Sequence, residues 1–244
     1  MPHPREETAG NLSSDDATLE KCLERNKTWA DNIVQTGVLP NLFKNATKGQ
    51  HPRIIWFGCC DSRVPETSLL DLLPGDVFVH RNIANNILNE DDSSQAAFTY
   101  ALGHIHTLEH IIVCGHTKCG GVGGALADTL VTGNVKDADV EKLDVVTRWL
   151  LPLIKIRKNQ EGIEGWDSKT EDQKMQIVIE ENIKQGVDVA QRAVQKVFNE
   201  APTSELKEHL KSVKVHGLCY DIANGTLKAV ETVEELDAWT ARRT

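Results

Sequence analysis

Trp56-Phe57-Gly58-Cys59-Cys60-Asp61-Ser62-Arg63 and Val113-Cys114-Gly115-His116-Thr117-Lys118-Cys119-Gly120 are the two stretches that decide the fold. Each closes a short apolar run, Arg53 to Gly58 and His110 to Gly115, that reads as a buried strand. Both stretches therefore end where α/β sheets keep their ligands, at the carboxyl ends of strands. Helical and strand patterns alternate around them, which predicts an α/β fold: a mostly parallel central sheet flanked by helices.

Working outward, residues 1–14 are polar and read as a disordered N-terminus. From Asp15 to about Gln35 the residues Leu19, Cys22, Leu23, Ala30, Ile33 and Val34 recur at helical spacing, with Asp15 or Asp16 as cap and Gly37 as stop. This helix precedes any strand, so its apolar stripe must lie against the later sheet or against another subunit. Pro65 to Asp71 reads as a short helix, Pro74-Gly75-Asp76 as a turn, Val77 to His80 as a strand and Arg81 to Asn86 as a loop. Asp92 or Ser93 can cap a helix from about Ser94 to Thr107.

Beyond the glycine-rich run Gly120 to Gly124, residues 128–142 and 160–170 read as polar loops, and Val145 to Ile156 as a helical stretch interrupted by Pro152. Thr170 and Gln173 form a capping-box pattern that opens a long helix to about Asn199. Val213 to Tyr220, Asn224-Gly225 and Leu227 to Val230 predict a strand, a tight turn and a second strand. No internal repeat or boundary stands out, so residues 15–244 are expected to form a single domain.

Composition excludes several classes of function. The 244 residues carry 27 Lys and Arg against 36 Asp and Glu, a net charge of -9, which argues against nucleic acid or an anionic membrane as partner. No run approaches the roughly 18 apolar residues of a membrane span. Glu6, Glu7, Asp15, Asp16 and Glu20 fit neither a signal peptide nor a transit peptide, and a cytoplasmic location is expected. Six cysteines are few for this length, so they serve metal binding or burial rather than a disulfide framework.

Zinc takes four donors in a tetrahedron, and a catalytic zinc takes three from protein and leaves one place open. Cys59, His116 and Cys119 supply three. Asp61 and Arg63 follow the first thiolate closely enough to pair near the fourth place. Each motif alone is weak evidence, since a buried cysteine behaves as a small hydrophobe. Together, each directly after a strand, they predict one zinc site. Cys60 leaves an extended backbone on the side opposite Cys59, while Cys22, Cys114 and Cys219 read as packing. The glycine-rich run has neither the Gly-Lys-Ser/Thr ending nor the Gly-x-Gly-x-x-Gly spacing of a phosphate cradle, so close packing of a helix start near the metal is its expected reason.

Cys-x-Asp-Ser-Arg followed by His-x-x-Cys-Gly-Gly resembles the β-class carbonic anhydrases. Pro74-Gly75-Asp76 and Arg81-Asn82-Ile83-Ala84-Asn85 resemble the family as well, and the similarity is strongest from about Gln50 to Leu126. The resemblance implies one zinc ion per subunit on Cys59, His116 and Cys119, reversible hydration of carbon dioxide to bicarbonate, and Asp61 with Arg63 beside the open coordination place. It implies a pocket lined by Gln50, Phe78, Ile83, Tyr100 and Gly120, to which a neighbouring subunit contributes. It also implies a homodimer or a dimer of dimers, with the N-terminal helix laid across the partner. Two thiolates cancel the metal's charge, so water bound there should be more basic than at a site of three imidazoles, and hydration should be faster above neutral pH. Two other readings share the ligands: a zinc-binding homologue without turnover, and a hydrolase acting on a related heteroallene such as carbon disulfide.

Overall fold

The computed structural model describes residues 18–35, 37, 39–127 and 140–233, in two compact units that divide after Gln50. In the first unit, helix α1 (Leu19–Gln35) begins where the Thr18 hydroxyl accepts from Lys21 N at 3.3 Å, and the expected caps Asp15 and Asp16 lie outside the described residues. Gly37 ends it with φ +70, a left-handed conformation that costs glycine nothing. Trp29 meets Phe43 of the short helix α2 (Leu42–Ala46) edge to face at 5.7 Å. No residue of α1 is buried, and Leu19, Leu23, Trp29 and Val34 are exposed. Cys22 is exposed too, so it does not pack as the sequence reading had it.

The second unit is built on five strands in the order β2-β1-β3-β4-β5. Strands β1 (Ile54–Cys59), β2 (Val77–Asn82), β3 (His110–His116) and β4 (Lys214–Asp221) pair in parallel, and β5 (Thr226–Val233) returns antiparallel on β4. β1 and β3 are buried almost throughout because both faces are covered, which is why they read as unbroken apolar runs rather than alternating ones. The Asn224-Gly225 turn is drawn together by Asp221, whose carbonyl accepts from Gly225 N at 2.8 Å while Gly225 takes φ +73.

Helices α3 (Glu66–Leu69), α4 (Asp92–His104), α5 (Gly120–Ala127), α6 (Val145–Glu161), α7 (Glu171–Glu200) and α8 (Ser204–Ser212) complete the unit among the described residues. The capping box at Thr170 and Gln173 is present, and α7 runs for about 45 Å at 1.5 Å per residue. Its buried stripe serves two cores. Val187, Ala190 and Val194 pack with Phe57, Phe98, Leu102 and Leu210, whereas Val178, Ile179 and Ile183 pack with Leu153, Ile154, Cys59 and Cys119. Trp56, Ile112 and Cys114 fill the other face of the sheet.

Where α7 crosses β3, the surfaces interlock. A Cβ on Gly186 would lie 2.8 Å from Val113 Cγ1, and one on Gly115 would lie 2.9 Å from Ile183 Cδ1. Overpacking a contact of this kind costs about 1–3 kcal/mol. Gly186→Val is expected to lower Tm by roughly 2–12 °C, read by thermal melting followed by circular dichroism; an unchanged Tm would mean that the approach is not close.

The sequence reading needs four corrections here. β2 extends to Asn82, and Ile83–Asn85 form a 3-10 turn, so Arg81 and Asn82 are strand residues rather than loop. Helix α4 is capped by Asp91, which accepts from Ser93 N and Ser94 N, and it ends at His104. Helix α6 continues through Pro152 to Glu161, with Leu150, Leu153, Ile154 and Ile156 buried on both sides of the proline. Helix α8, with only Leu206 and Leu210 buried, has no counterpart in the sequence reading. Residues 128–139 of the expected loop 128–142, and the expected disordered residues 1–14, lie outside the described residues.

Candidate metal centre

The register sets the site. Cys59 is the last residue of β1 and pairs with Asn82, the last of β2, while β3 runs alongside and ends at His116. Thr117 and Lys118 then turn the chain back. Lys118 takes φ +55, unusual for a side chain other than glycine, and this reversal brings Cys119 to the start of α5. The ligating atoms of Cys59, His116 and Cys119 all lie within 4.8 Å of one another, and all three residues are buried.

Three observations show that these residues fit a zinc ion. First, His116 Nδ1 lies 2.9 Å from Thr117 O and donates to it, which leaves Nε2 as the acceptor aimed at the cluster. That Nε2 is buried without a hydrogen-bond partner, in a residue only 1% exposed. An orphaned buried acceptor costs about 1–3 kcal/mol, and a cation satisfies it. Second, the two thiols share their charge unevenly. Cys59 is held well below the usual thiol range, first by the Cys119 thiol and then, against the opposing effect of burial, by His116 and the backbone N–H groups of Asp61 and Ala84. Cys119 is pushed up by that same contact with Cys59 and by burial. One proton leaves readily and the second stays until a cation replaces it. Third, one nitrogen and two sulfurs are a donor set suited to zinc.

Asp61 stands beside the cluster, with Oδ2 3.9 Å from His116 Nε2. Arg63 holds it with Nε donating to Oδ1 at 2.9 Å and Nη2 to Oδ2 at 2.6 Å, and the Arg63 backbone N–H also donates to Oδ1 at 2.9 Å. Arg63 Nη2 reaches Lys118 O at 3.2 Å as well, tying the two ligand-bearing turns together. The Arg63 guanidinium keeps the Asp61 carboxyl below the ordinary carboxylate range. With both its oxygens engaged by arginine, Asp61 is an anionic acceptor turned to the side of the cluster.

The 3-10 turn after β2 is fastened by five hydrogen bonds. Asn82 Oδ1 accepts from Asn86 N at 2.8 Å and Asn82 Nδ2 donates to Asn86 O at 2.9 Å. Trp149 Nε1 donates to Ile83 O at 2.9 Å, and Asn86 Nδ2 returns a bond to Trp149 O at 2.8 Å. The buried Asn182 of α7 donates to Ala84 O at 2.9 Å, holding Ala84 at φ +61. In the glycine run the close approach is to this turn: a Cβ on Gly121 would lie 2.9 Å from Ala84 Cβ, whereas one on Gly120 meets nothing within 4 Å. Sequence reasoning gave no role to Asn82, Asn86, Trp149 and Asn182. Asn82 stood within the Arg81 to Asn85 stretch noted for its resemblance, and Asn182 is a lone amide between Ile179 and Ile183 on the apolar stripe of α7.

The other predicted residues are spread more widely. Ile83, 44% exposed, stands on the 3-10 turn beside the start of α5. Phe78 pairs with Ile55, four residues before the end of β2 and so about 13 Å along the strand from Asn82. Its ring stacks on Tyr100 at 5.9 Å, and Tyr100, 49% exposed, stacks on His104 at 4.9 Å. Within the chain, then, Phe78 and Tyr100 form an aromatic ladder, with Tyr100 partly open to solvent, and Ile83 and Gly120 sit at the cluster's edge. Gln50 is exposed in the first unit. Cys60, just past the end of β1, is exposed, and Cys114 and Cys219 are buried thiols, both pushed up chiefly by burial.

Comparison with known proteins agrees with this geometry. Residues 54–227 match the family described as carbonic anhydrase, and the chain belongs to that family, in its β class. A carbonic anhydrase of Emericella nidulans is 41% identical over 129 residues, which are 53% of this chain and 55% of that protein, so the chain matches about half the length of this relative. The crystal structure of the β-carbonic anhydrase CafA of Aspergillus fumigatus is 37% identical with a TM-score of 0.72, covering 91% of this chain and 95% of that one. A structure from work on two tetrameric β-carbonic anhydrases of Sordaria macrospora is 34% identical with a TM-score of 0.70, covering 88% and 98%.

Proposed function

We propose that the chain catalyses the reversible hydration of carbon dioxide to bicarbonate and a proton, using one zinc ion per chain held by Cys59, His116 and Cys119. The observation that carries this reading is the Asp61–Arg63 pair standing 3.9 Å from the orphaned His116 Nε2. A purely structural site has no use for a restrained carboxylate beside its ligands. When bound, zinc lowers the pKa of water toward neutrality and so supplies a nucleophile. The rest falls to the protein. Asp61 Oδ2 accepts a hydrogen bond from the attacking water and points its lone pair toward carbon dioxide, and Arg63 fixes and neutralises the carboxylate. Ile83 and Gly120 border the place where an apolar linear gas docks, bicarbonate leaves, and the released proton passes to buffer.

The same proposal includes an even-numbered homo-oligomer, a dimer or a dimer of dimers, in which Phe78, Tyr100 and Gln50 complete the pocket of the assembly. The exposed apolar stripe of α1 and the tetrameric Sordaria relatives support it. Among the described residues no helix is long and apolar enough to cross a membrane.

Stopped-flow hydration assays test the reaction. Protein stripped of metal with a chelator should lose its rate and recover it with one equivalent of zinc. Zinc-replete protein inert toward carbon dioxide would leave a binding homologue, and turnover of carbon disulfide alone would leave the heteroallene hydrolase.

A further inference from the structure

Arg63 holds the side chain of Asp61, but a second guanidinium holds its main chain. Arg81 of β2 reaches across to the turn that follows β1, where Nε donates to Cys59 O at 2.8 Å and Nη2 donates to Asp61 O at 2.7 Å. Its third nitrogen, Nη1, lies 3.6 Å from Glu66 Oε2 at the start of α3. Glu66 is buried, and that oxygen has no hydrogen bond, so Arg81 supplies its countercharge across a short gap. Cys60 N, between the two carbonyls, donates to Asn82 O at 2.9 Å, and Asp61 N donates to Cys59 Sγ at 3.4 Å. Cys59 O, Cys60 N, Asp61 N and Asp61 O of the turn are thereby all engaged.

We propose that Arg81 is a positioning residue for the hydration reaction: its planar fork clamps the carbonyls of Cys59 and Asp61, and so sets the first zinc ligand and the carboxylate beside it as one rigid piece. This rests on the function proposed above. Arg81 touches no reacting atom and acts through the two residues it holds. Two carbonyls two residues apart match the fixed separation of guanidinium N–H groups. An ammonium is a point donor that keeps the charge facing Glu66 but cannot span both acceptors.

Arg81→Lys in the full zinc-loaded protein separates this role from simple charge balance. Groups that orient metal ligands from behind typically cost 10–100-fold in metal affinity or activity when replaced. For Arg81→Lys, kcat/KM per bound zinc is expected to fall by about 10–100-fold and the rate of zinc release to a chelator to rise by a similar factor. Glu66→Gln, which leaves both carbonyl bonds in place, should stay within about threefold of wild type in both measurements, well short of the loss for a group that orients ligands. Wild-type kcat/KM per zinc and wild-type zinc release in Arg81→Lys would overturn the proposal. So would a loss of activity that only tracks the fraction of protein unfolded. If wild-type protein itself does not hydrate carbon dioxide, the proposed reaction fails instead, and the zinc-release comparison still decides whether Arg81 holds the turn.

Discussion

His116→Ala is expected to abolish hydration of carbon dioxide and to release the metal. The variant removes the one nitrogen donor and leaves two thiols whose second proton is held tightly. A Lewis acid contributes several kcal/mol of transition-state charge stabilisation, and at 1.36 kcal/mol per tenfold its loss lowers the rate by a factor on the order of a thousand or more. The alanine also takes away the buried unpartnered Nε2, so the metal-free protein need not be less stable than metal-free wild type. Stopped-flow rates and zinc content by elemental analysis check both halves. A variant that keeps zinc and turnover would remove His116 from the site.

Asp61→Asn is expected to have the second largest effect, and of a different kind: zinc stays and the rate falls. Asparagine keeps the shape but loses the charge and one acceptor that Arg63 grips, so the acceptor facing the attacking water is no longer held in place. Positioned acid–base groups contribute about 100- to 10,000-fold, and a loss at the lower end of that range is expected because Asp61 orients rather than transfers a proton. Loss of zinc from this variant would demote Asp61 to a structural role. The pH dependence follows from the direction of its shift. Asp61 titrates lower in the folded chain than in the unfolded one, so its pairing with Arg63 contributes stability above the ordinary carboxylate pKa of about 3.9 and loses it as pH falls through the folded value. Asp61 is therefore charged throughout pH 6.5–9. The rise in hydration rate expected over that window does not come from Asp61 losing its proton, and a flat or falling profile would contradict the effect assigned to the two thiolates.

The parts of the protein that sequence revealed are those governed by apolar burial and by donor chemistry. Ile54 to Cys59 and His110 to His116 are buried on both faces and announce themselves as apolar runs, and Thr170 with Gln173 marks the start of α7 through a bonding pattern that is local. Cys59, His116 and Cys119 were recognisable because thiolate and imidazole following strands have few other uses. What stayed hidden was polar structure satisfied at a distance. Arg81 and Asn82 looked like a loop because charged and amide side chains are rare in strands; here one bonds the carbonyls of Cys59 and Asp61 and the other closes on Asn86. Neither partner can be read from neighbouring residues. Helix α8 buries too few apolar side chains to show a period, and Pro152 looked like an interruption because its local cost was visible while the burial around it was not.

Thr117 is stitched to the neighbouring strand β4 and the turn after it by three bonds: its N–H donates to Tyr220 O at 2.9 Å, and its hydroxyl accepts from Ile222 N at 3.0 Å and donates to Asp221 Oδ1 at 3.4 Å. The imidazole that its carbonyl steers is thus parked in a single pose before any ion arrives. Uptake of metal by the folded apoprotein is therefore expected to need no ring flip, and a loosened β4 should betray itself as slower, multiphase loading.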